Sequence, residues 1–152
     1  MIDIKIITEA HKNDINIPND PFQLVGRMIP SYINEQWSHS VFYLNEMDIT
    51  EMCFPDENYN YAEMKDNSIF IGAYDNSNCV GLAILQHAWF KYMYLYDLKV
   101  SKDYRNKGIA TALLKKAKEV CKEHHYSGIY TQAQDNNLSA CLFYIKTGFY
   151  IG

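Results

Sequence analysis

The chain has 152 residues, 48% of them hydrophobic and 21% charged, with 18 acidic against 14 basic side chains and a formal net charge of -4. That length supports one domain with a real core, at roughly 100–200 residues per domain, and the acidic balance gives no electrostatic footprint for nucleic acid. No apolar stretch approaches the ~18 residues of a membrane span, and Asp3, Lys5 and Glu9 stand where a signal peptide would be apolar. The expectation is a soluble cytoplasmic protein with no nucleic-acid or membrane partner. Cys53, Cys79, Cys121 and Cys141 show no CxxC or Cys/His spacing, so reduced structural thiols are expected. Adjacent His124 and His125 would point about 100° apart on a helix and cannot share one ion. No metal is expected.

In chain order, residues 2–8 (IDIKIIT) alternate apolar and polar side chains, which predicts a first strand. A polar stretch then ends in Pro18 and Pro21. From Phe22, the apolar residues Leu24, Val25, Met28 and Ile29 recur at helical spacing up to Pro30. After Tyr32, Ile33 and Trp37, a second apolar cluster runs from Val41 to Met47; together these predict two short helices. Residues 51–67 mix charge, Asn and a proline without a period, predicting a loop or mobile excursion with solvated acids.

Residues 68–74 (SIFIGAY), a DNSN turn and residues 79–89 (CVGLAILQHAW) predict a hairpin, because Asp and Asn tolerate left-handed backbone and form local side-chain bonds. Residues 92–100 (YMYLYDLKV) add a third strand to an antiparallel meander. The period then changes from two to 3.6: from Gly108, the residues Ile109, Leu113, Ala117, Val120, Cys121 and His124 fall on one helical face. That helix ends near Gly128, and residues 128–134 predict a further strand. Asp135, Asn136 and Asn137 are N-cap candidates for a last helix over 138–147, closed by Gly148, after which residues 149–151 begin another strand.

The stretch richest in chemistry is VSKDYRNKGIAT, residues 100–111, between a strand and a helix. N–H groups at a helix start are unpaired and point outward, the dipole there is positive, and Gly108 and Ala110 let a phosphate approach the backbone. Arg105 and Lys107 add charge suited to a pyrophosphate. Neither the nucleotide-binding P-loop pattern nor the dinucleotide GxGxxG fingerprint is present. On the loop alone, an ordinary turn with a glycine at the helix start reads equally well.

Arg105, Gly108 and Ala110 in R-x-x-G-x-A, after a strand and before an amphipathic helix, resemble the acetyl-CoA signature of the GNAT family of N-acetyltransferases. A second stretch, with Asn137, Ala140, Phe143, Tyr144, Gly148 and Phe149 in N-x-x-A-x-x-F-Y-x-x-x-G-F, resembles that family's downstream cofactor-side motif. The resemblance covers about Ser68 to the end. It implies an α/β fold with a mixed, mostly antiparallel central sheet flanked by helices. It also implies acetyl-CoA as co-substrate, without metal, at Leu98, Val100, Arg105, Asn106, Lys107, Gly108, Ile109, Ala110 and Thr111, together with Asn137, Ala140 and Tyr144. Residues 21–37 and 133–144 are similar to the streptothricin acetyltransferases, which inactivate a cationic antibiotic by acetylating an amine of its β-lysine moiety.

The chain departs from that pattern twice. Many relatives carry an acidic pair near the end of the fourth strand, whereas here it reads Tyr96-Asp97. Relatives also continue past the final Gly-Phe with another strand, whereas this sequence ends at Gly152. The expectation is a single domain over 1–152 lacking its last strand or strands, with a sheet edge that a second copy could complete as a homodimer.

The family implies direct attack of the amine on the thioester. A lysine-type amine of pKa about 10.4 is neutral in only ~1 of 2,500 molecules at pH 7, a deficit of roughly 4.6 kcal/mol. Asp97 is the candidate proton acceptor, or else an acid that orients the substrate. Tyr144 resembles the tyrosine that donates to the departing sulfur; a packed helix aromatic is the alternative. Main-chain groups of Leu98 and Val100 would hold the pantetheine if a bulge splays their strand. Trp37, Tyr94 and Tyr96 are candidate aromatic walls for the small cationic acceptor, with Asp20, Glu35 or Asp97 to meet its charge. Another amine (an aminoglycoside, a polyamine, a protein N-terminus) or a non-catalytic acyl-CoA-binding module stays open.

Overall fold

The structure is a computed structural model describing residues 1–152. In chain order its elements are β1 (Ile2–Ile6), a kinked 3-10 segment (Glu9–Asn16), β2 (Phe22–Leu24), β3 (Gly26–Ile33), β4 (Gln36–Tyr43) and β5 (Thr50–Met52). There follow α1 (Tyr61–Met64), β6 (Ser68–Asp75), β7 (Asn78–His87), β8 (Tyr92–Val100), α2 (Ile109–Glu123), β9 (Gly128–Tyr130) and α3 (Leu138–Lys146). Contacts divide the chain into two compact units: residues 1–20 with 54–131, and residues 21–53 with 132–152.

The first unit holds a five-stranded sheet in the order β1-β6-β7-β8-β9, antiparallel except for the β8–β9 pair. Parallel neighbours need a long crossover, and α2 supplies it. The expected meander of β6, β7 and β8 is present, and β1 pairs along β6 from Ile2 to Ile6. Both faces of the sheet are covered, which explains why β7 reads as a continuous apolar run rather than an alternation. On one face Gly81 lies against Ala73, Ile109 and Leu113, so this is the side packed by α2. On the other, Ile7, Ile15, Phe70, Tyr74, Leu82 and Ile84 form a cluster joined by Ile17, Tyr59, Tyr61 and Met64. Helix α2 buries Ile109, Leu113, Leu114, Ala117, Val120 and Cys121, while His124, expected on this face, is the exposed C-cap.

The second unit corrects the sequence reading. Residues 22–47, expected as two helices, form no helix beyond a single 3-10 turn at Glu46–Asp48; β3 and β4 make a hairpin and β2 pairs with β5. Asn34 and Glu35 turn the hairpin with φ of 54° and 61°, the doubly left-handed two-residue turn whose twist suits paired strands. Pro30 sits in β3 opposite His39 in a two-stranded sheet, where the missing N–H can face outward. Gly26 is packed so closely that a Cβ would meet the Phe42 carbonyl and Leu138. Helix α3 starts at the Asn137 cap and ends before Gly148, whose φ of 107° closes it as expected. Residues 149–151 form no strand, and the strand expected over 128–134 stops at Tyr130.

Candidate active site

Strand β8 sets the geometry of the first unit. Asp97 lies opposite Ile84 and Leu95 opposite Leu85, so Tyr96 is the extra residue of a bulge. Paired residues share a face and neighbours alternate. The bulge therefore resets the phase: Asp97 and Lys99 join Ile84 and Leu82 on the face away from α2, while Leu98 and Val100 turn to the α2 face. Were Tyr96 instead paired in regular alternation, Asp97 would follow Leu95 into the core against α2.

On its face Asp97 meets residues from far along the chain. The Tyr59 hydroxyl donates to Asp97 Oδ2 at 3.0 Å, and Lys99 Nζ lies 3.4 Å from the same oxygen. Lys99 Nζ donates to Glu57 Oε2 at 2.7 Å, and Asn19 Nδ2 donates to that oxygen at 2.9 Å. The side chains of Lys99 and Asp97 are only 10% and 16% exposed, so these charges are largely removed from solvent screening. Burial pushes the Asp97 carboxyl above the ordinary aspartate value, with Lys99 and the Tyr59 bond pulling the other way. Burial is the largest single influence on Glu57 and raises it, but the bond and charge of Lys99, its own backbone N–H and the Asn19 amide together hold it below the ordinary carboxylate value. Burial and then the Asp97 charge push the Tyr59 phenol far up, so it remains a donor.

Neither Glu57 nor Tyr59 was visible in the sequence, where residues 51–67 read as a mobile excursion with solvated acids. The structure pins this segment. Asn16 Nδ2 donates to the Tyr59 carbonyl at 2.9 Å, and the Tyr59 N–H donates to Asn16 Oδ1 at 2.7 Å, a two-bond amide clamp across 43 residues. Asn19 gives its N–H to Asp56 Oδ1 at 2.7 Å and its amide to the Pro55 carbonyl at 3.0 Å. Only the spacing of Asp97 and Lys99, two apart on a strand, hinted at a shared face.

Tyrosines continue the same region. Tyr59 and Tyr96 rings lie 5.9 Å apart, Tyr94 and Tyr96 6.1 Å, and Tyr94 stacks on Tyr130 at 4.8 Å. Asp20, a candidate for meeting a cation, instead accepts the Lys102 N–H at Oδ2 and caps that turn.

The opposite edge of β8 opens beyond Tyr94, because β9 pairs only with Tyr92–Tyr94. Thr131 Oγ1 donates to the Leu95 carbonyl there. Ser101 N–H donates to the Val80 carbonyl, so alternation turns the main-chain groups of Leu98 and Val100 away from β7. The Val100 carbonyl accepts from Arg105 Nε at 3.3 Å, and Arg105 Nη2 donates to the Asp20 carbonyl at 3.2 Å. With these bonds Arg105, expected to add charge for a pyrophosphate, ties the loop to the end of β8 and to Asp20.

Beyond the loop, Gly108 takes φ of 79° as the N-cap of the 15-residue α2 and supplies no side-chain cap. A Cβ built there meets nothing within 4 Å, so the first-turn N–H groups of Ile109, Ala110 and Thr111 open on an uncrowded approach. Asn106 is also left-handed, at φ 60°. Lys107 is exposed, its ammonium 5.5 Å from the Tyr104 ring. The donor set fits a phosphate-bearing group.

The remaining candidates lie in the second unit. Asn137 Oδ1 accepts from the Ala140 N–H at 3.4 Å, which makes it the cap of α3. Half-buried Tyr144 packs edge-on to Phe143 at 5.6 Å and Phe149 at 5.2 Å. Trp37 is 48% exposed and faces Tyr32 across the hairpin, ring centres 5.0 Å apart. Glu35 sits at the exposed hairpin turn. Asp97, Tyr94, Tyr96 and the 98–111 segment thus belong to one unit, and Tyr144, Asn137, Ala140, Trp37 and Glu35 to the other.

A mostly antiparallel sheet with a bulged fourth strand, a parallel crossover and an open glycine-capped helix start makes a mixed α/β fold that offers main-chain donors to a phosphate-bearing ligand. Residues 31–149 match the profile of the Acetyltransferase (GNAT) family, and the chain belongs to that family. It is 38% identical to streptothricin acetyltransferase A of Bacillus subtilis (strain 168) over 146 residues, 96% of this chain and 84% of the relative. It is also similar, at 28% identity and a TM-score of 0.87, to the 1.6 Å crystal structure of a candidate streptothricin acetyltransferase from Bacillus anthracis str. Ames in complex with acetyl coenzyme A. That match covers 100% of this chain and 86% of the other. Nourseothricin acetyltransferase, 16% identical with a TM-score of 0.78 over 99% of this chain and 84% of its own, adds a likeness of fold alone.

Proposed function

We propose that the protein is a streptothricin acetyltransferase, moving the acetyl group of acetyl-CoA to a primary amine of that cationic antibiotic and so conferring resistance to it. The observation that carries this reading is the 38% identity to streptothricin acetyltransferase A sustained over 96% of the chain. Residues 1–152 are read as one acetyltransferase domain, a view supported by a family match that includes residues of both compact units. No helix is long and apolar enough to cross a membrane, and we place the reaction in the cytoplasm, where the thioester is available.

In this reading the first-turn N–H groups of α2 receive the pyrophosphate. They are unpaired within the helix, carry the positive end of its dipole, and are reached past an open Gly108. The main chain of Leu98 and Val100, turned from β7 at an edge that β9 does not cover, holds the pantetheine arm and orients the thioester. Asp97 accepts the proton of the acceptor ammonium, directly or through water. Its depth supports this: a carboxyl pushed up by burial is a better base than an exposed one. The neutral amine then attacks the thioester carbonyl; as the C–N bond forms and the C–S bond breaks, the nitrogen sheds its second proton to solvent, and Tyr144 protonates the coenzyme thiolate and is reprotonated from solvent. That step needs less help, because thiols titrate near ~8.5. Tyr94 and Tyr96 line the acceptor path, with Trp37 and Glu35 as further acceptor contacts.

The test is thiol release from acetyl-CoA with streptothricin beside an aminoglycoside, spermidine and a lysine-terminated peptide. Release that depends on streptothricin is expected. Release with another acceptor alone moves the reading to that amine. Silence with all four, in protein that binds acetyl-CoA by calorimetry, leaves a binding module.

A further inference from the structure

Asp97 is held on one oxygen only. Both the Tyr59 hydroxyl and the Lys99 ammonium contact Oδ2. The ammonium stands nearer to Glu57, at 2.7 Å, than to Asp97, at 3.4 Å, and also reaches the Ile17 carbonyl at 3.4 Å. Glu57 is itself fixed by the Asn19 amide at 2.9 Å, so the unequal sharing of Lys99 is built into the segment packed over β8.

We infer that Glu57 and Lys99 are coupled positioning residues for Asp97: Glu57 draws the ammonium aside so that Asp97 Oδ1 stays open to a cationic acceptor, and Lys99 keeps the carboxylate ionised. The inference rests on reading Asp97 as the acceptor-side base. Two carboxylates and one ammonium leave a single negative charge among groups largely out of water, where charge interactions are strong. An incoming ammonium neutralises it. With Glu57 neutral, Lys99 would neutralise Asp97 and no charge would remain for the acceptor. With Lys99 absent, two carboxylates would face each other and Asp97 would take up its proton at higher pH. The groups facing Asp97 are Lys99 on β8, Glu57 and Tyr59 on the 53–60 segment, with Tyr96 acting on Tyr59. Ile84 on β7 and the Ile17 carbonyl and Asn19 beside Lys99 and Glu57 are neutral.

The experiment is titration of the Asp97 side-chain carboxyl by carbon-13 magnetic resonance in aspartate-labelled protein, its signal identified by loss in Asp97→Asn. Glu57→Gln is expected to lower the midpoint and Lys99→Met to raise it, each by about one pH unit, with Lys99→Arg near the parent value. A pair that only packs the segment over β8, with no electrostatic hold on Asp97, would leave the midpoint in place. Midpoints that stay put, or that move in the same direction, overturn the inference. Lys99→Arg against Glu57→Gln keeps the comparison available if Lys99→Met fails to fold. The acid limb of acetyl transfer, measured on the same proteins, separates the underlying reading. If the midpoints shift in opposite directions and the limb does not follow, the pairing holds and Asp97 is not the base.

Discussion

Strands β6 to β8 in the first unit and the β3–β4 hairpin in the second have similar aromatic and β-branched content, but they bury it differently. Residues 80–85 of β7 are all buried, between α2 on one face and the Ile7–Ile15–Phe70 cluster on the other. On β3–β4, only Gly26 and Met28 are buried, and Ile29, Tyr32, Ile33, Trp37, Phe42 and Tyr43 are exposed. Burial on two faces writes a strand into sequence as an apolar run bounded by turn residues, and a half-solvated hairpin leaves no such record.

The largest expected effects concern the chemistry placed by each unit. Asp97→Asn should reduce kcat/KM for streptothricin by about 100- to 10,000-fold, the usual range for loss of a general base. If Tyr144 protonates the leaving thiolate as proposed, Tyr144→Phe should lower kcat with little change in acetyl-CoA affinity, which calorimetry beside turnover checks. Gly108→Glu should abolish acetyl-CoA binding by placing a carboxylate at the start of α2. Gly108→Ala meets no neighbour within 4 Å and should cost only about 1–2 kcal/mol of stability, from its φ of 79°.

Stability sharpens the contrast further. Leu82→Ala, at a fully buried position in β7, should cost about 2–5 kcal/mol by urea unfolding, whereas Phe42→Ala on the 56%-exposed hairpin position should stay within about 1 kcal/mol. Glu35→Gly should stabilise the hairpin by up to ~1 kcal/mol, because Glu35 holds φ of 61°. If Glu35 also meets the acceptor, the same substitution raises KM. The smallest effect is in acid. Glu57 has a lowered folded-state value, so its contribution is present above the ordinary glutamate pKa and lost as pH falls through the folded one. Glu57→Gln should therefore narrow the loss of stability between pH 7 and pH 4, read from unfolding midpoints.

What the sequence revealed follows from the same physics. The β6–β7–β8 meander, the amphipathic α2, the Asn137 cap and the Gly148 stop all rest on local signals: period, turn chemistry, a cap and a left-handed closure. The hairpin at 26–43 is masked because Leu24, Val25, Met28 and Ile29 happen to fall at helical spacing, and its turn carries Glu35 after Asn34 where a glycine would mark it. Asp97 was legible as an acid near a strand end. The bulge at Tyr96 that aims it was not, since a one-residue slip exists only relative to the partner strand. Glu57 and Tyr59 were invisible for a related reason: Asn16 and Asn19, about 40 residues earlier, place them, and no periodicity records a contact that long.

The most direct measurement is tandem mass spectrometry of streptothricin after incubation with the protein and acetyl-CoA. One acetyl group is expected, on an amine of the β-lysine moiety, with an equivalent amount of free coenzyme thiol. Unmodified streptothricin in the presence of protein that binds acetyl-CoA, or acetyl found elsewhere on the antibiotic, would contradict it.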